Sequence, residues 1–89
     1  MDIEKLEVDR WYGFSPFNTP YYCLSINHSK KEAVFVSGRD SKYLVVDFLS
    51  FEMVKKRLAP VAHPQLSSVQ KNLLSYIGIE SITIELEGK

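Results

Sequence analysis

Apolar and polar residues alternate along the middle of this chain with a period of two, and beyond residue 50 recur every three or four positions. Arg10–Phe14 (RWYGF) reads as a short aromatic strand. Ser15–Pro20 (SPFNTP), with two prolines and an asparagine, reads as a loop. In Tyr21–Asn27 the alternation sets Tyr22, Leu24 and Ile26 on one face and Tyr21, Cys23, Ser25 and Asn27 on the other. His28–Lys31 is a turn, Glu32–Ser37 a strand, Gly38–Ser41 a turn and Lys42–Phe48 a strand. Loops this short force neighbouring strands to run antiparallel, because a parallel crossover needs about a dozen residues or more.

The period then changes. Ser50 is placed to cap a helix, Glu52 falls in its first turn, and Phe51, Val54 and Leu58 share one side. Lys55–Arg57 suits a last turn, and Pro60 stops the element. A second helix is predicted from Pro64 to Ile77, on the spacing of Leu66, Val69, Leu73 and Ile77, with Gly78 ending it. Ser81–Glu87 alternates again, Ile82, Ile84 and Leu86 against Thr83, Glu85 and Glu87, and reads as a half-buried edge strand. The predicted order is β-β-β-β-α-α-β in a single α+β domain over residues 1–89.

Composition agrees with one compact domain. The chain has 89 residues, 45% hydrophobic and 12% aromatic, enough apolar material to offset the entropy of ordering. Eleven bases balance eleven acids, which disfavours a strongly basic nucleic-acid binder and an acidic nucleic-acid mimic. The charge is unevenly placed: residues 28–57 carry seven bases against four acids, while both ends are acidic. The single cysteine, Cys23, excludes an internal disulfide and a cysteine-based metal cluster. No charged-then-apolar leader and no apolar run of bilayer length is visible, so a cytoplasmic, non-membrane setting is expected.

The lead-in Leu6-Glu7-Val8-Asp9-Arg10-Trp11-Tyr12 and the ending Leu58-Ala59-Pro60-Val61 bracket a meander of strands and a short helical turn. In that pattern residues 6–61 resemble small SH3-like β-barrel domains. The resemblance implies a closed meander finished by a short apolar strand near Pro60. It implies no activity, since such folds host many functions.

Recognisable catalytic chemistry does not assemble. His28 lies in a polar turn and His63 precedes Pro64, so Cys23 has no flanking motif that would make it an activated nucleophile. The histidines lack metal-ligand spacing, and Gly13, Gly38, Gly78 and Gly88 are too dispersed for a phosphate loop. The reading is therefore a non-enzyme with no metal and no cofactor.

Two groups point to binding instead. Trp11, Tyr12, Phe14, Phe17, Tyr21 and Tyr22 place six aromatics in twelve residues. Adjacent strand residues face opposite ways, so Trp11 and Tyr12 cannot enter one core. Trp11, Tyr12, Phe14, Phe17 and Tyr21 are thus the expected anchors for a protein partner. The alternative is a nucleic-acid-binding barrel using Lys30, Lys31, Arg39, Lys42, Lys55, Lys56 and Arg57 with the aromatics. Self-association through the Ser81–Glu87 edge or the aromatic face is a third arrangement. Folded chains of this length are common among phage and mobile-element accessory proteins that inhibit or redirect a host complex, which sets the expected kind of partner.

Overall fold

The computed structural model describes residues 1–76. The expected Ile77 helix end, the Gly78 cap and the Ser81–Glu87 strand lie outside them. A short 3₁₀ turn at Ile3–Lys5 leads into β1 (Trp11–Phe14), β2 (Thr19–Asn27), β3 (Glu32–Ser37) and β4 (Val45–Ser50). Then follow α1 (Phe51–Arg57), β5 (Leu58–Pro60) and α2 (Ser68–Tyr76).

The strands form one antiparallel sheet in the order β4-β3-β2-β1-β5. The meander follows from the turns. Asn27 Oδ1 accepts from the Lys30 N–H at 3.1 Å in the first, and Asp40 Oδ1 from the Lys42 N–H at 2.9 Å in the second. The second turn runs on to Tyr43, whose N–H bonds to the Asp40 carbonyl. That bond delays β4 to Val45, three residues past the expected start. The short strand near Pro60 is present and pairs with β1. Closure into a barrel is not seen among the described residues, where β4 and β5 are separate edges. The class is α+β with an open five-stranded antiparallel sheet.

Between Cys23 and Ser25 the pairing of β2 with β3 slips at a bulge. An extra residue there reverses which side chains face which way. Ile26 consequently packs with Tyr21 and Cys23 rather than sharing a face with Tyr22, and Leu24 is exposed.

Both sheet faces are covered near β1. On the first, Leu6, Tyr12, Tyr21, Cys23, Phe35, Leu49 and Leu58 meet Val54 of α1, with Ile3 of the 3₁₀ turn packed alongside. Ser50 caps α1 by accepting the Met53 N–H at 3.2 Å, and Glu52 and Lys55–Arg57 sit at the ends the helix dipole favours. On the second face Trp11, Tyr22 and Val36 meet Leu74 of α2, with Leu44, Val61 and Leu66 around them. Burying each large apolar side chain stabilises the fold by about 1.5–3 kcal/mol, so two filled faces matter in a domain of this size.

The second helix begins at Ser68 rather than Pro64, and a reciprocal cap sets that boundary. Ser67 Oγ accepts the Gln70 N–H at 3.1 Å, while Gln70 Oε1 accepts the Ser67 N–H at 2.9 Å.

Candidate interaction surface

The aromatic segment does not assemble into the exposed patch expected from Trp11, Tyr12, Phe14, Phe17 and Tyr21. Trp11, Tyr12 and Tyr21 are only 6%, 3% and 5% exposed. Trp11 and Tyr12 do face opposite ways, but each enters a covered face. Phe14 is half-buried and stacks on Tyr21 with ring centroids 5.0 Å apart. Phe17 alone of the five stands out in solvent, 87% exposed in the β1–β2 loop.

The buried tyrosines have partnered hydroxyls. Tyr21 donates to Asp47 Oδ2 at 2.7 Å and Tyr22 to Asp9 Oδ1 at 2.9 Å. Tyr12 Oη accepts from the Glu7 N–H at 2.9 Å. Burial first, then the bond to Asp9, pushes the Tyr22 hydroxyl up to about 12. Burial likewise raises Cys23, to about 11, so its thiol stays protonated at neutral pH. His28 is exposed and lies edge-on to Phe51, while Cys23 is sealed in the first core. Among the described residues no three His, Cys, Asp or Glu side chains gather as metal ligands. No helix there is long and apolar enough to cross a membrane.

The basic residues do not form one patch. Arg39 pairs with Asp47 at 3.4 Å, Lys56 with Glu52 at 3.1 Å, and Arg57 reaches the Ser15 carbonyl at 3.5 Å. Lys30 and Lys31 sit in the β2–β3 turn and Lys42 in the β3–β4 turn, at opposite ends of β3 and β4. Lys55 projects into solvent from α1.

A concavity of about 660 Å³ opens beside the start of β1, with Glu7, Asp9, Arg10, Trp11, Val61 and His63 in its wall. The Trp11 indole N–H is buried and finds no acceptor among the described residues. Because that nitrogen is sealed from solvent, a molecule in the concavity does not reach it without rearrangement.

The surface the sequence reading missed is β4. Among the described residues it is an edge of the sheet, and its Val46 and Phe48 are 55% and 63% exposed. These two lie opposite Val36 and Val34 and therefore share the second face, beyond the part that α2 covers. Tyr43 is exposed just ahead of the strand. The phase of the ladder follows from one bond: the Phe51 N–H donates to the Lys31 carbonyl at 2.9 Å. Leu49, Asp47 and Val45 are in phase with Phe51 and turn their backbone groups toward β3. Val46 and Phe48 turn theirs to the open edge. The other edge, β5, is three residues long and ends in Pro60, two features that discourage further pairing. The alternation of Val46 and Phe48 was visible in the sequence, but edge position depends on which strands pair.

No protein-family model, curated protein or solved structure matches this chain.

Proposed function

We propose that the protein is a non-catalytic interaction module that binds a partner protein at the β4 edge. The observation that supports this is the coincidence, on one strand, of exposed apolar side chains and backbone groups without a ladder partner among the described residues, at Val46 and Phe48. A strand with both offers directional main-chain hydrogen bonds and side-chain contact to an incoming segment. The protonated, buried Cys23 supports the non-catalytic part of the reading, since a thiol nucleophile acts as the thiolate.

Cross-linked capture from the cells that make the protein tests it. Phe48→Asp is expected to lose the captured protein, Phe17→Asp to retain it, and nuclease treatment to have no effect. The reverse ranking of the two variants moves the surface to the β1–β2 loop and overturns the assignment. Loss of capture on nuclease treatment replaces it with nucleic-acid binding through the basic turns.

A further inference from the structure

Resting on that reading, we infer that the chain's own segment Ser81–Glu87 guards the β4 edge as an antiparallel strand, and that a partner binds by displacing it. Val46 and Phe48 turn their backbone groups away from β3 and their side chains onto the second face. A matching occupant therefore alternates, with its apolar residues on that face alone. Ser81–Glu87 does so: Ile82, Ile84 and Leu86 fall on one side, and Thr83, Glu85 and Glu87 on the other.

Direction follows from α2. Its N-terminal cap is fixed at the Val45 end of β4, where Ser67 Oγ donates to the Ser41 carbonyl and Gln70 Nε2 to the Asp40 carbonyl, each at 2.6 Å. Leu74, one helical turn on, packs in the cluster of Val36, which lies opposite Val46 and farther from the β3–β4 turn than Gly38 does. The helix thus runs toward the Ser50 end, and a strand returning from it runs antiparallel to β4. Reach is sufficient. A strand added beside β4 lies about 10 Å across the sheet from β3 and about 10 Å below the helix layer, together about 14 Å. The five Cα steps from Tyr76 to Ser81 span up to about 17 Å.

Antiparallel pairing in one register sets Ile82 opposite Phe48, Ile84 opposite Val46 and Leu86 opposite Leu44, which already borders the second cluster. Glu85 and Glu87 then fall on the other face at the Val45 end, the end where Arg39 and Lys42 stand. The tether favours this occupant over an untethered one. A short link holds a segment at an effective concentration in the millimolar range. A second copy of the chain fits less well. Two-fold pairing that joins Val46 to Phe48 of the other copy sets Asp47 opposite Asp47, and like charges directly opposed destabilise a ladder.

The test uses the full 89-residue chain with Ile84→Asp, and with Ile84→Thr as a milder second variant. Trp11 fluorescence checks that each is folded. Amide exchange of Val46 and Phe48 and capture of the partner protein are the readouts. A guard that leaves the edge open about a tenth of the time slows exchange about ten-fold and weakens apparent partner affinity by the same factor. Ile84→Asp is therefore expected to speed exchange at both amides and to raise capture about ten-fold, with Ile84→Thr in between. Adding Phe48→Asp to Ile84→Asp is expected to abolish capture.

Equal exchange in the parent and Ile84→Asp overturns the inference, and the β4 reading then stands or falls by Phe48→Asp alone. Protection that grows with protein concentration also overturns it, because the occupant is then a second copy. Exchange that speeds in Ile84→Asp without a gain in capture places the partner elsewhere and overturns the β4 reading itself.

Discussion

The side-chain amide of Gln70 donates to the Gly38 carbonyl at 3.1 Å, a carbonyl that Pro20 cannot serve. Gly38 donates its own N–H to the Pro20 carbonyl at 2.8 Å, but proline has no N–H to return the bond. Gln70 Nε2 supplies it from α2 and also bonds the carbonyls of Asp40 and Tyr43 at 2.6 and 3.2 Å. A single buried glutamine thus completes the β2–β3 ladder, holds the β3–β4 turn and caps its own helix. Gly38 has to be a glycine because a Cβ there would meet Pro20 Cγ at 2.7 Å.

Removing that amide should be expensive. Gln70→Leu leaves buried carbonyls without a donor and is expected to destabilise the domain by about 3 kcal/mol, measured by urea denaturation. Gln70→Glu should cost more at neutral pH, because it turns a carboxylate toward three carbonyls. Lowering the pH toward 4 should recover part of the loss by protonating it.

Core and surface aromatics should separate cleanly. Trp11→Ala empties the centre of the second cluster and is expected to cost about 3–5 kcal/mol, whereas Phe17→Ala should fall within about 0.5 kcal/mol of the parent. Thermal melts of the two variants check this. Loss of partner capture in Trp11→Ala therefore reports unfolding unless the melt is unchanged.

Alkaline pH should weaken the fold. Tyr22 is raised to about 12 from 10.0 and Cys23 to about 11 from 9.0, each mainly by burial. Tyr12 and Tyr21 are raised as well. Each group keeps its proton longer when folded, so the folded state binds more protons than the unfolded chain above pH 9. Stability is then fully present below about pH 9 and falls as pH rises through 9 to 12. Denaturation at stepped pH, with tyrosinate absorbance followed in parallel, reads it. Asp9→Asn should lower the Tyr22 value by removing a negative charge beside the hydroxyl.

The Cys23 thiol should be nearly inert in the folded protein. A shift from 9.0 to about 11 reduces the thiolate fraction at neutral pH by about a hundred-fold, and complete burial slows access further. Disulfide-reagent labelling should be slow in buffer and fast in urea. Rapid labelling in buffer would show that β2 opens.

Much of the framework was local enough to read directly. Alternation from Tyr21 to Phe48, with polar turns at 28–31 and 38–41, specifies an antiparallel meander because short loops admit no other connection. Ser50 starts α1 for an equally local reason, its hydroxyl accepting the Met53 N–H, whereas the helix ends at Arg57, where Leu58 turns extended into β5, and Pro60 closes that strand rather than the helix. The candidate surface was not legible in the same way. Alternation tells which residues share a face, and the bulge after Cys23 interrupts even that. It does not tell what covers the face.

By itself, then, the sequence determined in outline the four strands before α1, their antiparallel course, the cap of α1 and the opposite facings of Trp11 and Tyr12, but not β5, whose Leu58 the helical spacing had claimed. Only the tertiary structure decided that both rings are buried, since Leu74 and Val54 arrive from helices more than 40 positions along the chain to cover the two faces. It also decided that Val46 and Phe48 stay open among the described residues, where β4 ends the sheet and α2 does not reach it. Burial depends on long-range neighbours, and a periodic pattern carries only short-range ones.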